Sequence, residues 1–312
     1  MSRALICGSM AFDNIMVFED EFANHILPDQ IHKLNISFMV PTLSRVFGGV
    51  AGNIAYNLKM IGGEPVPMGT VGSDFGTYEQ RLKGLGITLE AIKEKEGHFT
   101  PQAYITTDLK NNQITAFHPG AMNFSHENKV DEYDDIAIGL VGPDGRDGMI
   151  QHAREFYDAG IPFIFDPGQA MPLFDGDDLR QFIEQATWMA ANDYEYEMVH
   201  NRTGMDAKEI ASHLDALFVT RGENGSEVFT DGTSYHIPVV QAEKVVDPTG
   251  CGDAYRAGLL FGLMNNLDYQ TIGRIASLLG SIKIATAGTQ NHYVSKKDFH
   301  KRFVDEFGYS YD

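Results

Sequence analysis

The densest chemistry in the chain lies in Val245-Val246-Asp247-Pro248-Thr249-Gly250-Cys251-Gly252-Asp253-Ala254. The pattern reads as a strand end and a small-residue loop that open a strongly apolar helix. Free backbone N–H groups of Gly250, Cys251 and Gly252 would face an anion, and the helix macrodipole would add partial positive charge. The two glycines let a ligand come close to the backbone. Asp253 falls in the first helical turn, where its carboxylate can reach a hydroxyl aimed at an anion held by the same loop. Base and electrophile stabiliser then share one motif, as phosphoryl transfer to an alcohol requires. Asp is also a preferred helix N-cap, so a capping role for Asp253 stands beside the chemical one.

The elements that must position this loop follow from the apolar runs. Residues 4–7, 65–71, 136–141, 163–165, 188–191 and 217–220 read as buried strands that alternate with helical stretches, such as the one placing Ile54, Leu58 and Ile61 at helical spacing. That alternation predicts an α/β fold with a doubly wound, mostly parallel sheet flanked by helices. Two stretches break the rhythm with strand-like alternation and no clear helix between their strands: residues 12–40, and residues 103–118 around a Lys110-Asn111-Asn112 turn. They are assigned to a small β-sheet lid, bounded at 12–43 and 97–120, inserted in a single domain of residues 1–312. Helices are expected over 251–265, 269–287 and 296–307.

Composition narrows the partners. The 312 residues carry 43% hydrophobic content, enough for a sizeable core, and a formal charge of −19 spread along the sequence. Such an acidic surface repels phosphate backbones and anionic lipids, which argues against nucleic-acid and membrane partners. Cys7 and Cys251 are the only cysteines and show no metal-ligand spacing, so a reducing, cytoplasmic setting is expected. The start MSRALICGSM turns polar too soon for a signal peptide, and no apolar run is long enough to span a bilayer. The first strand is not followed by G-x-G-x-x-G, and no Walker loop is present, which excludes the usual dinucleotide-dependent dehydrogenases and P-loop enzymes. The single E-x-x-H, Glu197 to His200, has no second copy to complete a metal site.

The segment from Asp247 to Asp253 resembles the C-terminal signature of the ribokinase-like (PfkB) sugar and nucleoside kinases. A second signature of that family is similar to Gly48-Gly49-Val50-Ala51-Gly52-Asn53-Ile54-Ala55. The resemblance covers nearly the whole chain and implies a kinase using ATP and Mg2+. It makes Asp253 the base and gives Gly49, Asn53 and Asp13 to the hydroxyls of a small-molecule sugar or nucleoside, with Asn53 offering both a donor and an acceptor. Asp74, in Gly72-Ser73-Asp74-Phe75, is read as a cap of the next helix.

On the nucleotide side the resemblance implies Asn192 and Glu195, an N-x-x-E pair that organises magnesium through water or else caps its helix. It adds Thr220, Gly222 and Gly225 around the phosphates, and Asn291. Arg221 is read either as added charge there or as a surface residue. Asp247 and Thr249 resemble the start of a monovalent-cation site for K+, completed by carbonyls near Ala287. Cys251 stands where the family usually has alanine, and Pro248 where a small polar residue is frequent. At a helix N-terminus Cys251 is expected to have a lowered pKa and to react with alkylating reagents, with ATP protecting.

The N-terminal Cys7 to Ile15 segment, Phe117-His118-Pro119-Gly120 and Gly142-Pro143-Asp144-Gly145 resemble the adenosine-specific bacterial branch of the family. Aromatic or polarizable faces for a purine are expected from Phe12, Met16, Phe38, Met39, Tyr104 and Phe117, unless these side chains only pack the lid. The alternatives are a ribose or fructose kinase of the same family and a non-catalytic nucleoside sensor. A monomer or a homodimer is consistent with either reading.

Overall fold

The computed structural model of the protein describes residues 2–26, 35–110, 112–230 and 232–312. Part of the expected lid segment, residues 27–34, and Asn111 of the expected turn lie outside the described residues. Among the described residues no helix is long and apolar enough to cross a membrane.

Among the described residues, thirteen strands form two sheets. In the large one, β1 (Arg3–Cys7), β4 (Pro65–Val71), β5 (Ile92–Glu94), β8 (Ile136–Val141), β9 (Phe163–Phe165), β10 (Trp188–Asn192) and β11 (Ala216–Thr220) run parallel, and β12 (Ser226–Thr230) and β13 (Thr233–Ile237) add an antiparallel edge. The order is β13-β12-β11-β10-β9-β8-β1-β4-β5, so β1 is flanked by β8 on one side and β4 on the other. That reversal opens a crevice outside the carboxyl ends of the strands.

Both faces of this sheet are buried, which is why its strands read as continuous apolar runs rather than alternating ones. Ala4, Ile6, Leu140 and Phe218 point to one core, shared with α1 (Val50–Met60), α2 (Gly76–Gly84), α7 (Cys251–Met264), α8 (Tyr269–Ile284) and α9 (Lys296–Phe307). Leu5, Cys7, Val141 and Val219 point to the other, shared with α3 (Arg146–Ala159), α4 (Gly176–Gln185), α5 (Asp193–Thr203) and α6 (Ala207–Ser212).

The small sheet is β3-β2-β6-β7, from β2 (Ala11–Val17), β3 (Thr42–Gly48), β6 (Gln102–Thr107) and β7 (Gln113–His118). Strand β3 carries it to Gly48, beyond the expected boundary at residue 43, and runs directly into α1. Gly49 makes that join. Its φ is +85°, and a Cβ would lie 2.5 Å from both Ala11 N and Ser9 O.

Residues before the Gly250 loop are not the end of a strand, as the sequence suggested. Val245 is 76% exposed, and the N–H groups of Val246 and Asp247 both donate to the carbonyl of Ile284, tying the loop to the end of α8. Two valines in a row gave a strand-like pattern to a segment that pairs with no strand among the described residues.

Candidate active site

Helices α1 and α7 pack together and bring residues from the two glycine-rich motifs into contact. Asn53 Nδ2 donates to Asp253 Oδ2 at 2.8 Å, while Asn53 Oδ1 accepts from Gln290 Nε2 at 3.0 Å. The chain continues: Gln290 Nε2 also donates to the Tyr78 hydroxyl at 2.6 Å, and that hydroxyl donates to the Gly48 carbonyl at 2.9 Å. Asn53 therefore has one of its two N–H groups and one of its two oxygen lone pairs committed to protein groups. Its geometry is that of a residue orienting Asp253.

The cap of α7 is Gly250, at φ +79°, with no side-chain cap bond, so Asp253 sits three positions inside the helix and is not its N-cap. Burial pushes its carboxyl up to about 7, the Asn53 bond partly opposes this, and Asp166 adds to it. A carboxylate in that range is poised as a base near neutral pH.

Around it, the Cys251 N–H donates to the Pro248 carbonyl at 3.1 Å and is therefore not free, contrary to expectation. The N–H groups of Gly250, Gly252 and Asp253 have no acceptor among the described residues. They form the anion-facing set at the start of α7. The Cys251 thiol is likewise not activated: burial pushes it up to about 11, the reverse of the expected shift, with Lys283 only partly compensating.

On the lid side, strand register decides which side chains can meet a ligand. Asp13 on β2 is opposite Ala103 on β6, which is opposite Phe117 on β7, so these three share one face of the small sheet. No side chain among the described residues donates to the Asp13 carboxylate, and burial alone pushes it up to about 6. Phe117 is 52% exposed.

Phe12 and Met16 lie on the opposite face by the two-residue period of a strand. Phe12 is 1% exposed, with the Arg45 guanidinium 3.7 Å from its ring centre and Phe47 and Tyr78 against its edges. It is a packing residue, not a ligand platform. Phe38 packs its ring on Phe18 and Phe22, at 4.7 and 5.1 Å between centroids. On the Phe12 face Asp74 does not cap α2, whose cap is Phe75. Its carboxylate accepts instead from Arg45 Nη2, Gln102 Nε2 and the Thr100 N–H, at 3.0, 2.9 and 2.7 Å, joining the small sheet to the main body.

The residues expected on the nucleotide side lie at the carboxyl ends of neighbouring strands. Asn192 of β10 is in register with Thr220 of β11, and Gly222 and Gly225 follow in a turn with positive φ. Asn192 and Glu195 form a reciprocal capping box at α5. Glu195 also lies 3.5 Å from Arg256, which donates to Asp166 at 2.9 Å. Burial raises the Glu195 pKa, with Arg256 opposing. Arg221 pairs with Glu227 at 2.7 Å and is occupied across the β11–β12 turn. Asn291 bonds the Ala287 carbonyl at 3.0 Å. A cleft of about 470 Å³ between residues 240–244, α8 and α9 is lined by none of these residues.

The pfkB family carbohydrate kinase model matches residues 13–296, a span holding both glycine motifs and Asp253. The chain belongs to the pfkB family of carbohydrate kinases. It is 32% identical over 260 residues to a nucleoside kinase of Methanocaldococcus jannaschii, covering 83% of this chain and 85% of that one. A solved Burkholderia thailandensis nucleoside kinase in complex with inosine is 51% identical, with a TM-score of 0.90 over 98% of this chain and 99% of that one. The same Burkholderia kinase solved with ADP-inosine is 52% identical, with a TM-score of 0.87 over 98% of this chain and 97% of that one.

Several residues bonded into the candidate site of this pfkB kinase carried little signal in the sequence. Arg256 is 4% exposed, sits one turn after Asp253, and is held above its usual pKa by Asp166 and Glu195 against the opposing effect of burial. A lone arginine in an otherwise apolar helix was the available signal. Asp166 follows the buried run Phe163–Phe165, where an acid must find a partner. Gln290, Tyr78 and Lys283 gave no local signal.

Proposed function

We propose that this chain transfers the γ-phosphoryl group of ATP to the 5′-hydroxyl of a purine nucleoside, with adenosine as the leading substrate and AMP and ADP as products. The observation that carries the reading is Asp253: a buried carboxyl raised to about 7, held by Asn53, beside three unpartnered N–H groups at the start of α7. In this mechanism Asp253 takes the hydroxyl proton as the 5′ oxygen attacks phosphorus. The bond to the β-phosphate breaks, and the N–H groups of Gly250, Gly252 and Asp253 offset the developing charge. Positioning supplies most of the rate in such chemistry.

Asp13, an acceptor without a donor, is read as the partner of the ribose diol, with the Gly49 backbone beneath it. Phe117 is read as the flat apolar surface for the base, since it alone of the expected aromatics shares the Asp13 face. Asn192, Thr220, Gly222, Gly225 and Asn291 are assigned to the phosphates and nucleotide.

Among the described residues no group of three or more His, Cys, Asp or Glu could hold a metal. Glu195 is assigned to a magnesium ion carried by the triphosphate, reached through water. Bound there, the ion would neutralise phosphate charge.

The test is a coupled ADP-release assay with ATP and magnesium, comparing adenosine, inosine, other nucleosides, ribose and fructose. Preferential turnover of adenosine supports the full reading. Preference for inosine keeps the purine and changes its substituent, an outcome the inosine complex of the Burkholderia relative makes concrete. Preference for a free sugar would remove the base-stacking role of Phe117 and leave the transfer step intact.

A further inference from the structure

The segment Asp247-Pro248-Thr249 resembles the start of a K+ site, and the groups that would bind the ion make bonds within the protein. The Asp247 carboxylate accepts from the Thr249 N–H at 2.9 Å and from the Gly288 N–H at 2.8 Å. The Ala287 carbonyl accepts from Asn291 at 3.0 Å. Between these two loops lies Lys283, near the end of α8, with 0% exposure. Its Nζ donates to the Asp247 carbonyl at 2.6 Å and to the Thr286 carbonyl at 3.4 Å, and it stands 3.8 Å from Asp247 Oδ2. A lysine is almost never fully buried unless it is paired.

The partners of Lys283 are two main-chain carbonyls and one carboxylate, drawn from the segment before the anion hole and from the loop after α8. An alkali cation would bridge the same two segments through the same kind of oxygen. An ammonium carries the same single charge and is of similar size to K+. Removing it would leave buried oxygens facing one another without a cation, a costly arrangement.

We propose that the Lys283 ammonium replaces the monovalent cation, so that this kinase works without K+ and Lys283 positions the Asp247–Gly250 loop from within. The charge is then part of the fold and does not depend on the ionic composition of the solution. Lys283 touches neither the Asp253 carboxylate nor the free N–H groups. It acts through the loop that ends at Gly250, where an error in placement would misdirect both. The activity part of the proposal rests on the kinase reading, whereas the stability part does not.

The experiment uses the full chain, with potassium, sodium or tetramethylammonium as the only monovalent cation at constant ionic strength. For the unaltered protein, both the melting temperature and the rate of adenosine phosphorylation should be the same in all three salts, within about twofold in rate, far less than the tenfold that corresponds to 1.36 kcal/mol of barrier. K+-selective stabilisation, or activation by about tenfold or more, overturns the proposal. Lys283→Ala should lower kcat more than it raises KM. It should also acquire K+-selective recovery of both rate and melting temperature as the ion enters the vacated space. A Lys283→Ala protein that is folded and fully active in tetramethylammonium overturns the positioning role. If that variant does not fold, the unaltered protein in the three salts still decides. A failure of the kinase reading would appear separately, as absence of turnover in every salt with the melting comparison unaffected.

Discussion

Asn53 and Asp253 are 200 residues apart in sequence and 2.8 Å apart in space, joined by a single amide-to-carboxylate bond. That bond holds the carboxylate against burial, which pushes its pKa from 3.8 up to about 7. A base must be unprotonated to accept a hydroxyl proton. The kcat/KM for the nucleoside should therefore fall with a one-proton slope as pH drops below about 7. A profile that stays flat to pH 5 would assign the proton to another group.

Asp253→Asn keeps the shape and removes the base. Turnover should drop by about 10²- to 10⁴-fold with little change in ATP affinity, the usual scale for general-base loss. Stability should move the other way. Because the folded pKa lies above the unfolded one, the native state binds a proton that the unfolded state releases between pH 3.8 and about 7. The contribution is present at low pH and lost as pH rises through the folded pKa. The variant should therefore melt higher than the parent at pH 8, with the difference shrinking toward pH 4. Paired melting curves at the two pH values check both signs.

Asn53→Ala tests the orienting role. The amide bond lowers the Asp253 pKa, so its loss should shift the acid limb of the pH profile to higher pH. It also strips Gln290 of one acceptor, a buried deficit of about 1–3 kcal/mol that urea unfolding would report. A stability loss with an unmoved pH profile would leave Asn53 a packing residue only.

The large sheet was legible in the sequence because both of its faces are buried, so strands such as Phe163–Phe165 appear as unbroken apolar runs between helical ones. The candidate site was legible where one short segment holds several of its parts, as Gly250 to Asp253 does. It was not legible where function depends on pairing across the chain. Phe12 and Phe117 are the same residue type in similar alternating patterns, and only the register through Ala103 separates the packing face from the Asp13 face. Lys283 is hidden for another reason. A lysine near the end of a helix reads as a solvated partner of the macrodipole, and only the fold of the two loops around it makes it buried.

That separation of faces can be measured. Phe12→Ala should destabilise the chain by about 3–5 kcal/mol, the range for a buried phenylalanine, through its contacts with Phe47, Tyr78 and Arg45. Phe117→Ala, at a half-exposed position, should leave the melting temperature nearly unchanged and raise KM for the nucleoside. Equal KM values for the parent and Phe117→Ala would remove this ring from the base-binding role.

Asp74 gives the last handle, because it couples the small sheet to the main body. Its carboxylate gathers donors from Arg45 of β3, Gln102 of β6 and the Thr100 backbone, and against burial the bonds to Thr100 and Arg45 hold its pKa below the usual range. A small sheet that covers the site must exclude water from the transferring phosphoryl group. Asp74→Ala frees the sheet at three points without touching Asp253 or Asp13. Nucleoside phosphorylation should slow, while ATP hydrolysis without acceptor should rise as a fraction of total ADP release. Measuring AMP and ADP together in one reaction separates the two. If the ratio of the products stays at one while the rate falls, the Asp74 bonds align the substrate without guarding the phosphoryl group from water.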